Sequence, residues 1–491
     1  MSRLGRSFLL LLLLVAAWLI RLYDLDDPPL DFHPTRQLFS ALKARGIYYA
    51  AHPALLPEWK LRFALQQRQK LATIEPEIME HLVAWTYQFT GEALWVARLY
   101  SSLFWVAGGY FLWDLARRRF STTAAFLSLA TYLFLPYAVI ASRSFQPDPL
   151  MVALMIAFWW GFDRWQESPS LMHTLLAGLL GGLAILVKFP ALFFVYPLLT
   201  GWLAKEKQRR SWGQAIGLSL LIAMPAALYL VYGLREGFLA QQFGGRFFPQ
   251  LWLVPSTYLQ WMQEAHRAAG MWLLVAALLG LLILLSSQAK TYLPLLLSLW
   301  AGYLLYGFAF PHHIATHDYY HLPLIPLAAL SAAPLFDLLT SALSAHLSGR
   351  LARPLLGWVL LYAFFGTLWG LRAQLKAVDY RPQAAMWAEI GEKLEHKPAV
   401  VALTPDYGLS LAYWGWQSAQ LWPSSADLNY QSKHNSAQAL QELFERLTAG
   451  KRYFLIADPM DFQRQPWLQT FLQPYPIFAE GPGYRIYSLQ P

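Results

Sequence analysis

The chain has 491 residues, and only 14% of them are charged against 56% hydrophobic. Soluble domains carry roughly a quarter charged residues, so an ordinary soluble globular protein is excluded; a mean hydropathy of +0.33 agrees. The absence of cysteine excludes disulfide scaffolds and thiolate metal centres, and a net charge of +9 is what basic membrane loops carry, with no call for a nucleic-acid partner.

The first apolar run, Phe8 to Ile20, follows Arg3 and Arg6 and precedes Arg21 and Tyr23. No small-residue cleavage site follows it, so it reads as a retained anchor rather than a secretory signal. Apolar runs then predict about eleven membrane helices, near 7–23, 93–114, 122–141, 149–162, 171–187, 190–204, 212–232, 270–286, 291–310, 322–341 and 355–372. The fourth and sixth are short enough for a merged or re-entrant pair. Tyr, Trp and Phe gather near the span ends, as an interfacial belt requires.

Orientation follows from the short basic loops "ARRRF" (116–120), "KEKQRR" (205–210) and "SGRLAR" (348–353). With eleven spans and the N-terminus inside, all three fall on the cytoplasmic side. Residues 24–92, 142–148, 233–269 and 311–321, and everything after 372, are then extracytoplasmic. The first of these regions concentrates Asp24, Asp26, Asp27, Asp31, His33, His52, Glu58, Glu75, Glu77, Glu80 and His81. Its stretch "EWKLRFALQQRQK" (58–70) reads as a helix on the membrane surface, with its cations either tolerated in a long loop or drawn to lipid phosphate.

After residue 375 the texture changes. "AVVALTP" (399–405), "RYFLIAD" (452–458) and "GYRIYSL" (483–489) predict short strands, and "SAQALQELFERLTAG" (436–450) predicts a helix closed by glycine. The expected architecture is an α-helical polytopic domain over 1–375 and a small extracytoplasmic α/β domain over 376–491. Asp406 and Asp458 close predicted strands as turn residues. No internal repeat, glycine-rich phosphate loop, HExxH or GxSxG is present. The spans show no periodic charged face, which argues against an ion-coupled transporter.

Four segments on the outer side carry ordered motifs. They are "RLYDLDDPPLDFHPTRQ" (21–37), "Pro76…Gly91-Glu92…Arg98-Leu99", "Ser142-Arg143…Pro147-Asp148" and "His317-Asp318-Tyr319-Tyr320…Pro323". In this order and on one side, over about residues 5–340, they resemble the GT-C glycosyltransferases of the protein-O-mannosyltransferase type (glycosyltransferase family 39-like). That family includes the bacterial relatives that add aminoarabinose to lipid A. The resemblance implies a polyprenyl-phosphate sugar donor, a functional acid in the first outer loop and a C-terminal domain outside. One departure stands out. The usual Asp-Glu pair is replaced here by His33-Pro34, and the nearest acid is Asp31.

Transfer from a lipid phosphate to a hydroxyl or amine needs a base, cations for the departing phosphate and a site at the bilayer rim. Asp31 is the expected base, with a helix-capping acid as the alternative, and Asp24, Asp26 and Asp27 compete with it. Glu75 and Glu77 would orient the acceptor or bind a metal, or else serve as first-turn acids. Arg36, Arg143, Lys188, Arg246 and Arg267 are candidates for the phosphate. Arg143 and Lys188 would otherwise be interface anchors. Asp148 would pair with Arg143 or cap the following helix. His33, His317, Tyr319 and Tyr320 complete the substrate-binding set. A divalent ion, if used, would join Glu75 to one of His33, His266, His312, His313 and His317, and the resemblance points to His266, since some relatives use an outer-loop histidine there.

The expected function is inverting sugar transfer to a lipid, polysaccharide or protein acceptor outside a cell membrane. The competing classes are a lipid or polysaccharide exporter without transfer chemistry and a non-catalytic membrane scaffold with an outer sensing domain.

Overall fold

A computed structural model describes residues 2–203, 209–238, 247–286, 292–346, 352–430 and 436–490. The basic loops at 205–210 and 348–353 lie largely outside the described residues. The chain divides into two compact units. The first comprises 1–25, 72–79 and 95–377; the second comprises 26–71, 80–94 and 378–491.

The first unit is helical throughout. Three helices among the described residues are long and apolar enough to cross a bilayer: Arg3–Arg21, Trp212–Glu236 and Asp318–Leu343. Helices Pro255–Ala269 and Met271–Ser286 qualify only as a pair and bend by 95°. The bend falls at Gly270, whose φ of +77° suits a residue without a Cβ. Other apolar runs are divided by proline. Pro136 separates Thr122–Phe134 from Pro136–Ala141, because a proline at that point has no N–H for the preceding turn. Helix Leu171–Val187 packs on Arg209–Glu236 through Gly178 and Gly182. A Cβ at these positions would approach Leu221 to 2.7 Å and Pro225 to 2.9 Å. Small residues four apart let two backbones close in where no hydrophobic drive separates helix from lipid.

The basic run 116–120 does not consist of free charges. Arg117 Nε lies 2.8 Å from Asp114 Oδ1, and Arg119 Nε lies 2.8 Å from Asp163 Oδ1. Arg164 and the indole of Trp160 reach the other oxygen of Asp114 at 3.0 and 2.8 Å. Helices Trp95–Arg119 and Asp148–Glu167 are thus fastened at one common end.

The second unit is built on a five-stranded sheet. Its strands are β1 (Val400–Leu403), β2 (Gln420–Leu421), β3 (Tyr453–Ile456), β4 (Ile477–Gly481) and β5 (Tyr484–Ser488), in the order β2-β1-β3-β5-β4. β1 pairs in parallel with β2 and β3, and β5 runs antiparallel to β3 and β4. Alternate residues of β1 serve opposite cores. Val400 and Ala402 pack with Trp387, Ile390 and Leu411, while Val401 and Leu403 pack with Trp422, Phe444 and Leu468. That two-sided burial is what a parallel central strand requires. The helices Pro34–Ala51, Glu58–Lys70 and most of Ile78–Thr90 cluster with this sheet domain in one unit.

Candidate active site

The polar centre of the first unit forms where two helices end. Helix Leu171–Val187 stops at Lys188, and Asp148–Glu167 starts at Asp148 after Pro147. Lys188 Nζ lies 2.9 and 2.8 Å from the two Asp148 oxygens, with both side chains buried. The same ammonium is 5.0 Å from the ring centroid of Tyr319 and 5.3 Å from that of Tyr320. Aromatic faces and a carboxylate together offset the cost of burying a cation. Asp148 therefore has Lys188 as its partner, 40 residues away in sequence. This corrects the expected pairing with Arg143.

Tyr320 in turn stacks on Tyr306, with centroids 5.7 Å apart and planes 8° apart, and on His313 at 5.3 Å. His317 stacks on His313 at 5.5 Å, and its Nδ1 is 2.8 Å from the Thr316 hydroxyl. His312 lies in the same short helix Pro311–Thr316 as His313, where burial lowers its pKa from the ordinary histidine value.

A cavity opens beside this centre. Its apolar wall includes Ile185, Leu186, Phe189, Ala226 and Leu230, and its polar groups include Glu75, Lys188, Tyr229 and Tyr320. With its open mouth it holds about 630 Å³. Glu75 is thus brought together with Lys188 and Tyr320, while Glu77 is half-buried two residues on.

The other expected cations behave differently. Arg143 is buried and donates from Nη2 to the Asp24 carbonyl at 3.1 Å, so it ties the loop after Pro136–Ala141 to the end of the first helix region. Arg21 is also buried. It donates to Ser142 Oγ at 2.7 Å, Ala17 O at 2.8 Å and Leu133 O at 2.9 Å, a structural role the sequence did not disclose. Arg267 is exposed, 3.5 Å from Glu264 and 4.0 Å from Asp318. His266, beside it, is exposed too. Among the described residues no group of three or more His, Asp and Glu side chains is placed to hold a metal, Glu75 and His266 included. Arg246 lies outside the described residues.

Asp31, His33 and Arg36 belong to the second unit. His33 adopts a left-handed φ of 43° and stands at the start of helix Pro34–Ala51 without a side-chain cap. The position that capping would need is thus taken by His33, not by Asp31. The loop carrying Asp31 is pinned by Gln37, whose amide donates to Pro29 O at 3.1 Å and Phe32 O at 2.6 Å. Arg36 lies 5.9 Å from the ring of Phe39. Asp27 is engaged elsewhere in the unit. Its carboxylate accepts from the Tyr380 N–H at 2.9 Å and lies 3.6 Å from Arg381.

Residues 75–232 match the dolichyl-phosphate-mannose-protein mannosyltransferase family. No curated protein sequence matches the chain. The structure is similar to ArnT from Cupriavidus metallidurans bound to undecaprenyl phosphate, with a TM-score of 0.61 at 14% identity, covering 99% of this chain and 98% of that one. It is also similar to the oligosaccharyltransferase AglB from Archaeoglobus fulgidus in complex with an inhibitory peptide and a dolichol-phosphate. There the TM-score is 0.56 at 13% identity, covering 93% of this chain and 70% of that one. The family match covers residues 75–232, and over the rest of the chain the likeness is one of fold; both agree with the resemblance of the motifs to the GT-C glycosyltransferases.

Proposed function

We propose that this protein moves a sugar from a polyprenyl-phosphate donor to an acceptor on the extracytoplasmic side of a membrane. The observation that carries this is the cavity at Lys188. Its wall of Ile185, Leu186, Phe189 and Leu230 suits an isoprenoid chain, and Lys188 stands at its polar part beside Glu75 and Tyr320. A lipid-linked phosphate needs that combination of apolar wall and cation. The polyprenyl phosphates named for ArnT and AglB support the same donor class.

In the reaction an acceptor oxygen or nitrogen attacks the anomeric carbon. The bond from that carbon to the phosphate oxygen breaks, and polyprenyl phosphate leaves with the electron pair. The acceptor's proton passes to a carboxylate of the first outer loop, and the single displacement inverts the anomeric centre. Asp31, Glu75 and Glu77 are the carboxylates assigned to this step, and a positioned base contributes roughly 10²–10⁴-fold. Lys188, with Arg143 and Arg267 of the same unit as further cations, stabilises the phosphate. Tyr319, Tyr320 and His317 offer flat faces to the sugar, and Asp148 holds Lys188 in place. The acceptor is a lipid, polysaccharide or protein group with a free hydroxyl or amine.

The test is transfer by the reconstituted protein from a panel of polyprenyl-phosphate sugars, comparing Asp31→Asn, Glu75→Gln and Glu77→Gln. The variant that removes the base should fall by about 10²-fold or more. Full transfer in all three removes Asp31, Glu75 and Glu77 as the base. Substrate flux across vesicles with no new glycosidic bond supports export instead.

A further inference from the structure

The sheet of the second unit has a feature that sugar transfer at Lys188 does not use. The chain leaves β1 for β2 on one side and returns as β3 on the other, with both pairings parallel. Such a reversal opens a crevice outside the carboxyl ends of the strands, where open α/β sheets bind ligands. Here that crevice is a cleft of about 1130 Å³, counting its mouth, lined in part by Thr404, Tyr407, Asp427, Asp458, Asp461 and Arg464.

Its polar groups are of two kinds. Asp427 Oδ2 accepts from Ser424 Oγ at 2.7 Å, and Asp458 Oδ1 accepts from the Asp461 N–H at 2.9 Å. A carboxylate has about four acceptor sites, so each retains capacity for a ligand donor. On the donor side, the Thr404 hydroxyl oxygen is buried and has no hydrogen-bond partner among the described residues. Arg464 is exposed and forms no ion pair among them. Tyr407 adds a ring that is 60% exposed.

A ligand for this cleft must donate to carboxylates, accept from a guanidinium and a hydroxyl, and lay an apolar face on a phenol ring. The vicinal hydroxyls and C–H face of a pyranose meet all three demands. An anionic ligand would meet three carboxylates and one guanidinium. We propose that the cleft at the carboxyl ends of β1 and β3 is a saccharide-binding site that prefers neutral or amino sugars to uronic acids.

The test uses the full chain in phospholipid nanodiscs, free of alkyl-glycoside detergent and without a polyprenyl donor, so its outcome is independent of transfer. Saturation-transfer NMR with methyl α-D-mannopyranoside and D-glucosamine should give saturable binding, and D-glucuronate should bind more weakly. Arg464→Ala and Tyr407→Ala, both at exposed positions, should each weaken binding about tenfold, the equivalent of one hydrogen bond, with the melting temperature unchanged. Absence of saturable binding by both sugars overturns the proposal. So does wild-type affinity in both variants, or glucuronate binding as tightly as glucosamine.

Discussion

Lys188 and Asp148 tie stability to the proposed chemistry in one residue pair. Both are buried and within 3 Å of each other, so removing one partner strands the other charge away from water. That costs about 3–5 kcal/mol, whereas removing both together is nearly neutral. Lys188→Met should therefore lower the melting temperature, and adding Asp148→Asn should restore most of it. Sugar transfer should stay low in the double variant, because the cation proposed for the phosphate is still missing. If transfer recovers along with stability, Lys188 is structural only. Asp406 presents a contrasting acid in the second unit. Burial pushes its carboxyl above the ordinary carboxylate range, although its Oδ2 accepts from the Ser410 N–H at 2.8 Å. A folded-state value above the unfolded one means the stabilisation is complete below the unfolded pKa and is lost as pH rises through the folded one. Stability of the second unit should accordingly decline as pH rises above the ordinary carboxylate range, and Asp406→Asn should flatten that slope in a urea titration across pH.

At the scale of elements, helix Pro34–Ala51 and the sheet domain of the same unit are joined through Arg45. It projects from helix Pro34–Ala51 between the rings of Tyr413 and Trp416, at 3.9 and 4.1 Å. Its Nε is 2.8 Å from Glu92, and it donates to the Tyr413 carbonyl at 2.7 Å. Burial alone would lower its pKa, but the charge of Glu92 and its hydrogen bond outweigh that and raise it. Arg45→Met should cost about 3–5 kcal/mol. Hydrogen exchange should then speed up in 34–51 and 409–414 together, not in one alone. The sequence could not announce this node, since its members are separated by up to 368 residues and none sits in a local motif. For the same reason the Lys188–Asp148 pair was invisible, while each residue's place at a span end was legible from the apolar run beside it. β1, β3 and β5 were readable because apolar residues run to turn residues at both ends. β2 was not, because two residues carry no period. The helix Pro255–Ala269 was hidden within an expected outer loop, since its polar exposed face interrupts the apolar pattern that marks a span. Buried charges stand at the ends of several apolar runs: Arg21 closes Arg3–Arg21, Asp148 opens its helix and Lys188 follows Leu171–Val187.

Across the whole molecule, the chain passes from the helical unit into the sheet-bearing unit and back twice before 95, then enters it again after 377. The proposed function requires the sheet-bearing unit to be extracytoplasmic, where lipid-linked sugars would await transfer. The basic loops set that expectation through the positive-inside rule. A chain without cysteine permits a direct measurement, because any thiol introduced is the only one present. Ser168 is exposed between helices Asp148–Glu167 and Leu171–Val187, and Gln473 is exposed in the sheet domain. An eleven-span chain with its N-terminus inside puts residue 168 in the cytoplasm and residue 473 outside. In intact cells a membrane-impermeant maleimide should therefore label Gln473→Cys and spare Ser168→Cys until the membrane is opened. The reverse pattern would place the sheet domain in the cytoplasm and end the lipid-donor assignment. Labelling of both would mean that at least one span between them is counted wrongly, and the outer-loop carboxylates would need to be reassigned before any is tested as the base.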